Sequence, residues 1–331
     1  MQDTALKSGA GKQAKPAKQP KDKKQPVSRK DMTKWQYIRS EMKRTRVGYA
    51  MIAPFMIMFL VFTVLPVILS LLLGFTSFNM FQWPKWIFFD NYIRMFLDDD
   101  LFITALKNTL IFAITTGPAS YMLSFLLAWF INELPPKSRA FVTFIFYAPS
   151  ISGGAYTIFT LLFRNDIYGF ANGWLLQLGL IDSPILWFQD ETYIVPLMIF
   201  ISIWTSLGMS FLAFIAGLQG IDRAQFEAGA VDGIKNRWQE AWYITLPNMK
   251  STLMFGAILA ITNAFGFGAI VTQLCGTPSA NYCAWTLNHH LTEYMTTRFE
   301  FGYASAIALV MFILSFGANN LVNKILSRVG Q

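Results

Sequence analysis

Charge is what this 331-residue chain has least of: 14% of its residues are Asp, Glu, Lys or Arg and 54% are hydrophobic, which excludes an ordinary water-facing surface. It has two histidines, His289 and His290, side by side. Adjacent helical residues diverge by about 100° and no third ligand stands at metal spacing, so no metal site is expected. Two cysteines, Cys275 and Cys283, leave at most one disulfide. No Ser/His/Asp set and no carboxylate pair at catalytic spacing stands out, so no enzyme active site is expected. A GxxxxGK[ST] phosphate-binding loop is also missing, so any ATP must be handled by another polypeptide. No short apolar region lies close to the start, which argues against a cleavable signal.

What the chain does have is long apolar runs, near 50–75, 103–131, 141–163, 193–218, 249–272 and 303–326. A bilayer core about 30 Å thick needs roughly 20 apolar residues per helix, so the fold class is an all-α membrane protein with six transmembrane helices. The second run is too short for two spans and is read as one helix kinked at Pro118, with the freed carbonyl satisfied by neighbouring helices or by Thr115 and Thr116. Six spans place both termini on one side. Lys and Arg are retained in cytoplasmic loops, and 22 of the 27 fall in segments that are inside if the N terminus is inside. Both termini are therefore expected in the cytoplasm, with Cys275 and Cys283 in the outer loop after span five. That side permits a disulfide, and the alternative is two unpaired loop cysteines.

The net charge of +8 belongs to the tail. Residues 1–48 carry 14 basic and four acidic side chains, so the remainder sums to about −2 and is not a nucleic-acid-binding surface. Two parts are expected: a basic, largely disordered cytoplasmic tail over 1–48, and a six-helix domain over 49–327. The tail's ordinary role is attraction to anionic lipid.

Residues 219–248, between spans four and five, hold the densest mixture of Glu, Asp, Lys, Arg and Trp. Asp222 followed by Gln225 reads as a capping box, with Phe226, Ala230 and Ile234 on one apolar stripe. Gly229 and Gly233 bare a neighbouring strip, which suits close approach by another backbone; turning the chain is the alternative. Trp238, Trp242 and Tyr243 suit a membrane interface, and Leu246-Pro247 reads as the start of span five.

Glu227-Ala228-Gly229, then Gly233, then Ile244-Thr245-Leu246-Pro247 resembles the EAA loop of the permease subunits of binding-protein-dependent ABC importers. Trp204, AGLQGI at 216–221, Asn108-Thr109-Leu110 and FGYASAIA at 301–308 agree, and the likeness is nearest the carbohydrate-uptake branch and its first maltose-type subunit. The sequence departs from the pattern in having Gly229 for Ala and one extra residue before Ile244. That residue is expected in a non-helical linker near Lys235, because it would turn a continuous helix by about 100°.

The resemblance implies a type I ABC importer core in a bacterial-type inner membrane. Phe226, Glu227, Ala228, Gly229, Asp232, Gly233, Leu246 and Pro247 would form a coupling helix and hinge docked on a cytoplasmic ATPase. Two ATPase copies would bind ATP and Mg, so this chain itself needs no cofactor. A second homologous permease and an extracytoplasmic solute-binding protein complete the implied set.

Ser202, Thr205, Ser206 and Met209 share a face of span four and Asn263 sits mid-span in the fifth, where the maltose-type subunit lines its sugar path; Trp204 and Phe265 would add flat apolar surface. The ordinary reading is that such groups bond across helices. Asp98–Asp100 in an outer loop reads as a solvated acidic turn or a contact for the binding protein. Other ABC solutes (polyol, glycerol phosphate, peptide-like) and a self-sufficient secondary carrier are the alternatives. The absence of acids in spans three to six opposes the carrier, and the near absence of Lys and Arg in spans four to six favours a neutral solute.

Overall fold

The computed structural model describes residues 33–35, 38, 41, 42, 45–152 and 155–327, and most of the basic tail lies outside them. Two units divide the chain, Met1–Val64 and Leu65–Gln331. In the first, α1 (Arg46–Phe59) runs into a π-helical turn, Leu60–Val64. Its Met51, Phe55 and Phe62 are exposed, as suits side chains that meet lipid rather than water.

The second unit begins with α2 (Leu65–Leu73), a two-residue antiparallel ladder, β1 (Thr76–Ser77) with β2 (Lys85–Trp86), and α3 (Asp90–Leu97). The central helix is α4, a single 33-residue element, Asp100–Asn132, with Pro118 inside it. The two threonines before that proline bond back to Ile111 and Phe112, so they do not cover the Ile114 carbonyl that Pro118 frees. After α4 come α5 (Pro136–Ile151), α6 (Ala155–Leu162), α7 (Phe170–Gln177), α8 (Glu191–Thr205) and α9 (Met209–Gln219). There follow α10 (Arg223–Val231), α11 (Arg237–Glu240), a π-helical turn (Ala241–Thr245) and α12 (Leu246–Asn248). The chain closes with α13 (Lys250–Phe265), α14 (Ala269–Cys275), α15 (Leu287–Thr296) and α16 (Phe301–Leu326).

Three helical stretches are long and apolar enough to cross a membrane, Arg46–Leu73, Asp100–Asn132 and Phe301–Leu326, and three bent pairs bring the number to six if each pair crosses once. Spans three to five are thus not the straight helices that their hydropathy suggests. The fourth bends by 40° between α8 and α9. The run 249–272 is interrupted at Gly266–Gly268, and α13 meets the preceding Arg237–Asn248 segment at 83°. Neither interruption alters the mean hydropathy of its run.

The core follows α4 along its length. At the Asp100 end, Phe102 and Ala105 pack with Met95, Tyr294, Tyr303 and Ile307. Around the middle, Phe112 joins Phe159, Ile194, Ile201 and Val271. At the Asn132 end, Ala128 and Ile131 pack with Phe211, Phe214 and Leu253. Gly256 lets α13 lie against α9 there, because a Cβ on it would stand 2.4 Å from Phe214 Cζ.

Candidate functional site: a mid-bundle cavity and the α10 loop

The break between α8 and α9 builds a cavity of about 400 Å³. Thr205 and Ser206 turn their hydroxyls onto the carbonyls of Ile201 and Ile203, Gly208 N–H donates to Ser206 O at 2.7 Å, and α9 starts anew at Met209. Ser202, Thr205, Ser206 and Met209 are therefore not one continuous helical face as expected. The break nevertheless brings all four to the cavity wall, and Asn263 of α13 joins them.

The aromatic surface differs from expectation. Phe265 is buried and Trp204 packs on Phe146, while Tyr147, Tyr156 and Phe267 line the cavity. Tyr147 and Tyr156 come from α5 and α6, and the apolar run they lie in gave no sign of a polar wall. Among the described residues, no charged side chain lines this cavity. The Asn263 amide and the Tyr147 and Tyr156 hydroxyls have no partner among the described residues, whereas Thr205 and Ser206 keep lone pairs that accept. The wall accepts and donates hydrogen bonds beside flat rings, with no fixed charge.

Helix α10 stands at the other end of the unit. Asp222 caps it by accepting from Ala224 N–H at 3.0 Å. The capping box is only half formed, because the Gln225 side chain instead accepts from Asn248 Nδ2. Ile234 N–H donates to Gly229 O and Gly233 N–H to Ala230 O, the paired bonds of a Schellman ending, with Gly233 at φ +95°.

This corrects the roles of both glycines. Gly233 turns the chain. Gly229 is buried against the chain's own Ile244 and Ile234, where a Cβ would come within 2.7 Å of Ile244 Cδ1. Ala230, expected on the apolar stripe, is exposed; Phe226 and Gly229 form the inner face. Glu227, Ala228 and Asp232 are exposed, and Phe226 and Glu227 border a cavity of about 550 Å³ with Trp129, Glu133 and Arg237. The extra residue sits in a non-helical linker between α10 and α11, as expected, and Trp238 rests on Trp129 at 5.1 Å. Leu246 and Pro247 are half-buried and lie in the segment that follows the π-turn. Span five itself begins at Lys250 after the bend, so the hinge is at Met249.

Residues 102–331 match the family of binding-protein-dependent transport system inner membrane components. The chain belongs to this family. It is 36% identical over 282 residues to the probable ABC transporter permease protein YesP of Bacillus subtilis, covering 83% of this chain and 89% of that one. It is 30% identical over 275 residues to the lactose transport system permease protein LacF of Rhizobium radiobacter, with 81% and 89% covered. Among solved structures, a bacterial ABC transporter involved in the import of the acidic polysaccharide alginate shares its fold, with a TM-score of 0.74 at 24% identity, over 89% of this chain and 100% of that one. The permease is thus a multi-pass inner-membrane transport component and not an enzyme.

Opposite α10, the permease holds a buried polar centre that the sequence did not announce. Asp99 caps α4 by accepting from Phe102 N–H at 2.9 Å, and it also accepts from Tyr303 (2.8 Å), His290 Nε2 (2.9 Å) and Tyr294 (3.2 Å). It is therefore a structural node, not part of a solvated turn. Trp285 Nε1 can only donate and faces His290 Nδ1 at 3.4 Å, so the imidazole is neutral with its proton on Nε2. Burial holds His290 below the usual histidine range, against the pull of Asp99. Burial opposes the Asp99 carboxylate, but hydrogen bonds from Tyr303, Phe102 N–H and His290 outweigh it and keep its pKa low. His289 bonds to Thr286 and Thr272, completing the cap of α15. Both histidines are thus engaged in holding α15.

Cys275 and Cys283 are free thiols, which corrects the disulfide reading. Burial pushes the Cys275 thiol up to about 12, its Sγ lies 4.0 Å from Met198 Sδ, and both cysteines pack as apolar groups against the mid-bundle core.

Proposed function

We propose that the permease forms, with a second homologous permease, the path of an ATP-driven importer for a neutral carbohydrate. In this reading a solute-binding protein delivers the solute outside and two ATPase copies, which hold ATP and Mg, dock on α10 inside. Both termini lie in the cytoplasm, following the distribution of Lys and Arg. The carrying observation is the uncharged cavity with Asn263, Ser202, Thr205, Ser206, Met209 and two tyrosines on its wall. A phosphate or carboxylate solute calls for Arg or Lys, and neither lines the cavity among the described residues. Relatives whose names state lactose and arabinooligosaccharide transport support the sugar class. A solved alginate transporter in complex with a pentasaccharide-bound periplasmic protein supports delivery by such a partner.

The test is uptake by the reconstituted system. Saccharides are transported and glycerol phosphate and peptides are not; Asn263→Ala raises the half-saturation concentration about 3- to 10-fold, the worth of one net hydrogen bond. Transport of a phosphate ester or a peptide in place of saccharides overturns the reading.

For coupling, Gly229→Leu is expected to force α10 off Ile244 and to cut ATP-driven uptake at least about tenfold while membrane insertion stays intact. Quantitative uptake beside a membrane-fraction immunoblot checks it, and unchanged uptake counts against ATPase docking at α10.

A further inference from the structure

A second cavity, of about 560 Å³, lies beside the first and shares Ala269 with it. Its walls are α14, the loop that follows and α15, and both cavities fall in the range of about 300–1,000 Å³ typical of small-ligand sites. The two adjoin at Ala269, with Gly268 and Asn288 packed between them. Gly268 closes the break in span five on one side and receives Asn288 of α15 on the other, where a Cβ would stand 2.5 Å from the Asn288 amide nitrogen.

The lining is rich in threonine, with Gln273 and Asn288 supplying amides. The side chains of Gln273, Thr277 and Asn288 have no hydrogen-bond partner among the described residues, so each can exchange water for a ligand. Among the described residues, the only charged lining residue is Glu293, and Arg298 holds its carboxylate at 2.7 Å. Tyr282, set perpendicular to Trp285 at 5.3 Å, brings an aromatic surface.

We propose that this cavity is a second saccharide subsite, which receives the units of an oligosaccharide that extend beyond the first cavity. The proposal rests on the carbohydrate reading above. Amides and hydroxyls both donate and accept, as sugar hydroxyls do, and an aromatic face suits the C–H side of a pyranose. A lipid tail finds too many polar groups there, and a phosphate or uronate finds no free cation. The permease consequently favours oligosaccharides that fill both cavities over a disaccharide that fills one.

The experiment is uptake of di-, tri-, tetra- and pentasaccharides by the reconstituted full system, comparing wild type with Gln273→Ala and Asn288→Ala. Neither side chain has a hydrogen-bond partner among the described residues, and disaccharide uptake serves as the internal control. The expected result is a rise of about 3- to 10-fold in half-saturation for the longer saccharides, with the disaccharide unchanged. Equal effects at all lengths, or none, overturn the subsite while leaving carbohydrate transport standing. Uniform loss together with weaker capture of the binding protein makes this face a docking surface and also overturns it. Failure to transport any saccharide removes the carbohydrate reading, and the subsite with it.

Discussion

Asp99→Ala is expected to loosen one whole end of the permease. The substitution removes the cap of α4, which costs about 0.5–2 kcal/mol. It also leaves the His290 Nε2–H and the Tyr303 hydroxyl without an acceptor, at about 1–3 kcal/mol for each buried donor. The His290 side chain is 1% exposed and that of Asp99 10%, so a replacing water would reach the site only through the space the carboxylate leaves. A loss on the order of 3–5 kcal/mol places the variant among the severe single substitutions. Thermal unfolding in nanodiscs should show a midpoint lower by on the order of 5–10 °C. The neighbouring Asp100→Ala removes an exposed carboxylate and should shift it little. Similar midpoints for the two variants exclude the node.

The same node sets a pH dependence. Unfolded, His290 takes up a proton near pH 6.5, whereas the folded chain, with its depressed pKa, does so only at lower pH. The unfolded state then binds more protons, so stability is full above about pH 6.5 and falls as the pH drops below it. Buried His289 acts in the same direction, and Asp99, also depressed, adds a further loss below about pH 4. An unfolding midpoint that is flat between pH 7 and 5 is incompatible with buried neutral histidines there.

Gly302→Ala is the second large effect. A Cβ on Gly302 would stand 2.0 Å from Thr76 O and 2.9 Å from Phe78 N, backbone atoms of β1 and of the residue that follows it. Gly302 N–H also donates to Phe78 O at 3.0 Å, so the two segments are fixed to each other. Side chains yield to an added methyl more easily than backbone does, so the cost reaches or exceeds the upper part of the usual overpacking range of about 1–3 kcal/mol. Expression in membranes and the unfolding midpoint should both fall. Gly317→Ala, on the same helix with nothing within 4 Å, is the matched control and should behave as wild type.

These two sites show where the sequence was legible and where it was not. Length and hydropathy located the apolar stretches, three of them unbroken helices and three bent pairs, since about 20 apolar residues in a row have few alternatives in a bilayer. The loop 219–248 was legible because its charges and glycines stand out against apolar flanks. Its glycines were misread because the partner of Gly229 is Ile244, and nothing local distinguishes a glycine that meets its own chain from one that meets another. The breaks in spans four and five were hidden, since Ser206–Gly208 and Gly266–Gly268 hardly alter the hydropathy around them. Asp99 was missed for a different reason. Its partners, His290 and Tyr303, stand about 200 residues away, and a three-Asp run looks the same whether water or tyrosine surrounds it. The signal within reach was the capping position of Asp99 ahead of a long apolar helix.

The interruption at Ser206–Gly208 has a consequence for how the proposed transport path can vary. Where α8 stops at Thr205 and α9 starts at Met209, the regular helical ladder is interrupted and part of the cavity wall is main chain. That part belongs to no particular side chain, so exchanging Ser202 or Thr205 for alanine thins the polar wall without abolishing it. If the cavity is the proposed solute path, exchanging its side chains retunes the solute while the main-chain part of the wall stays.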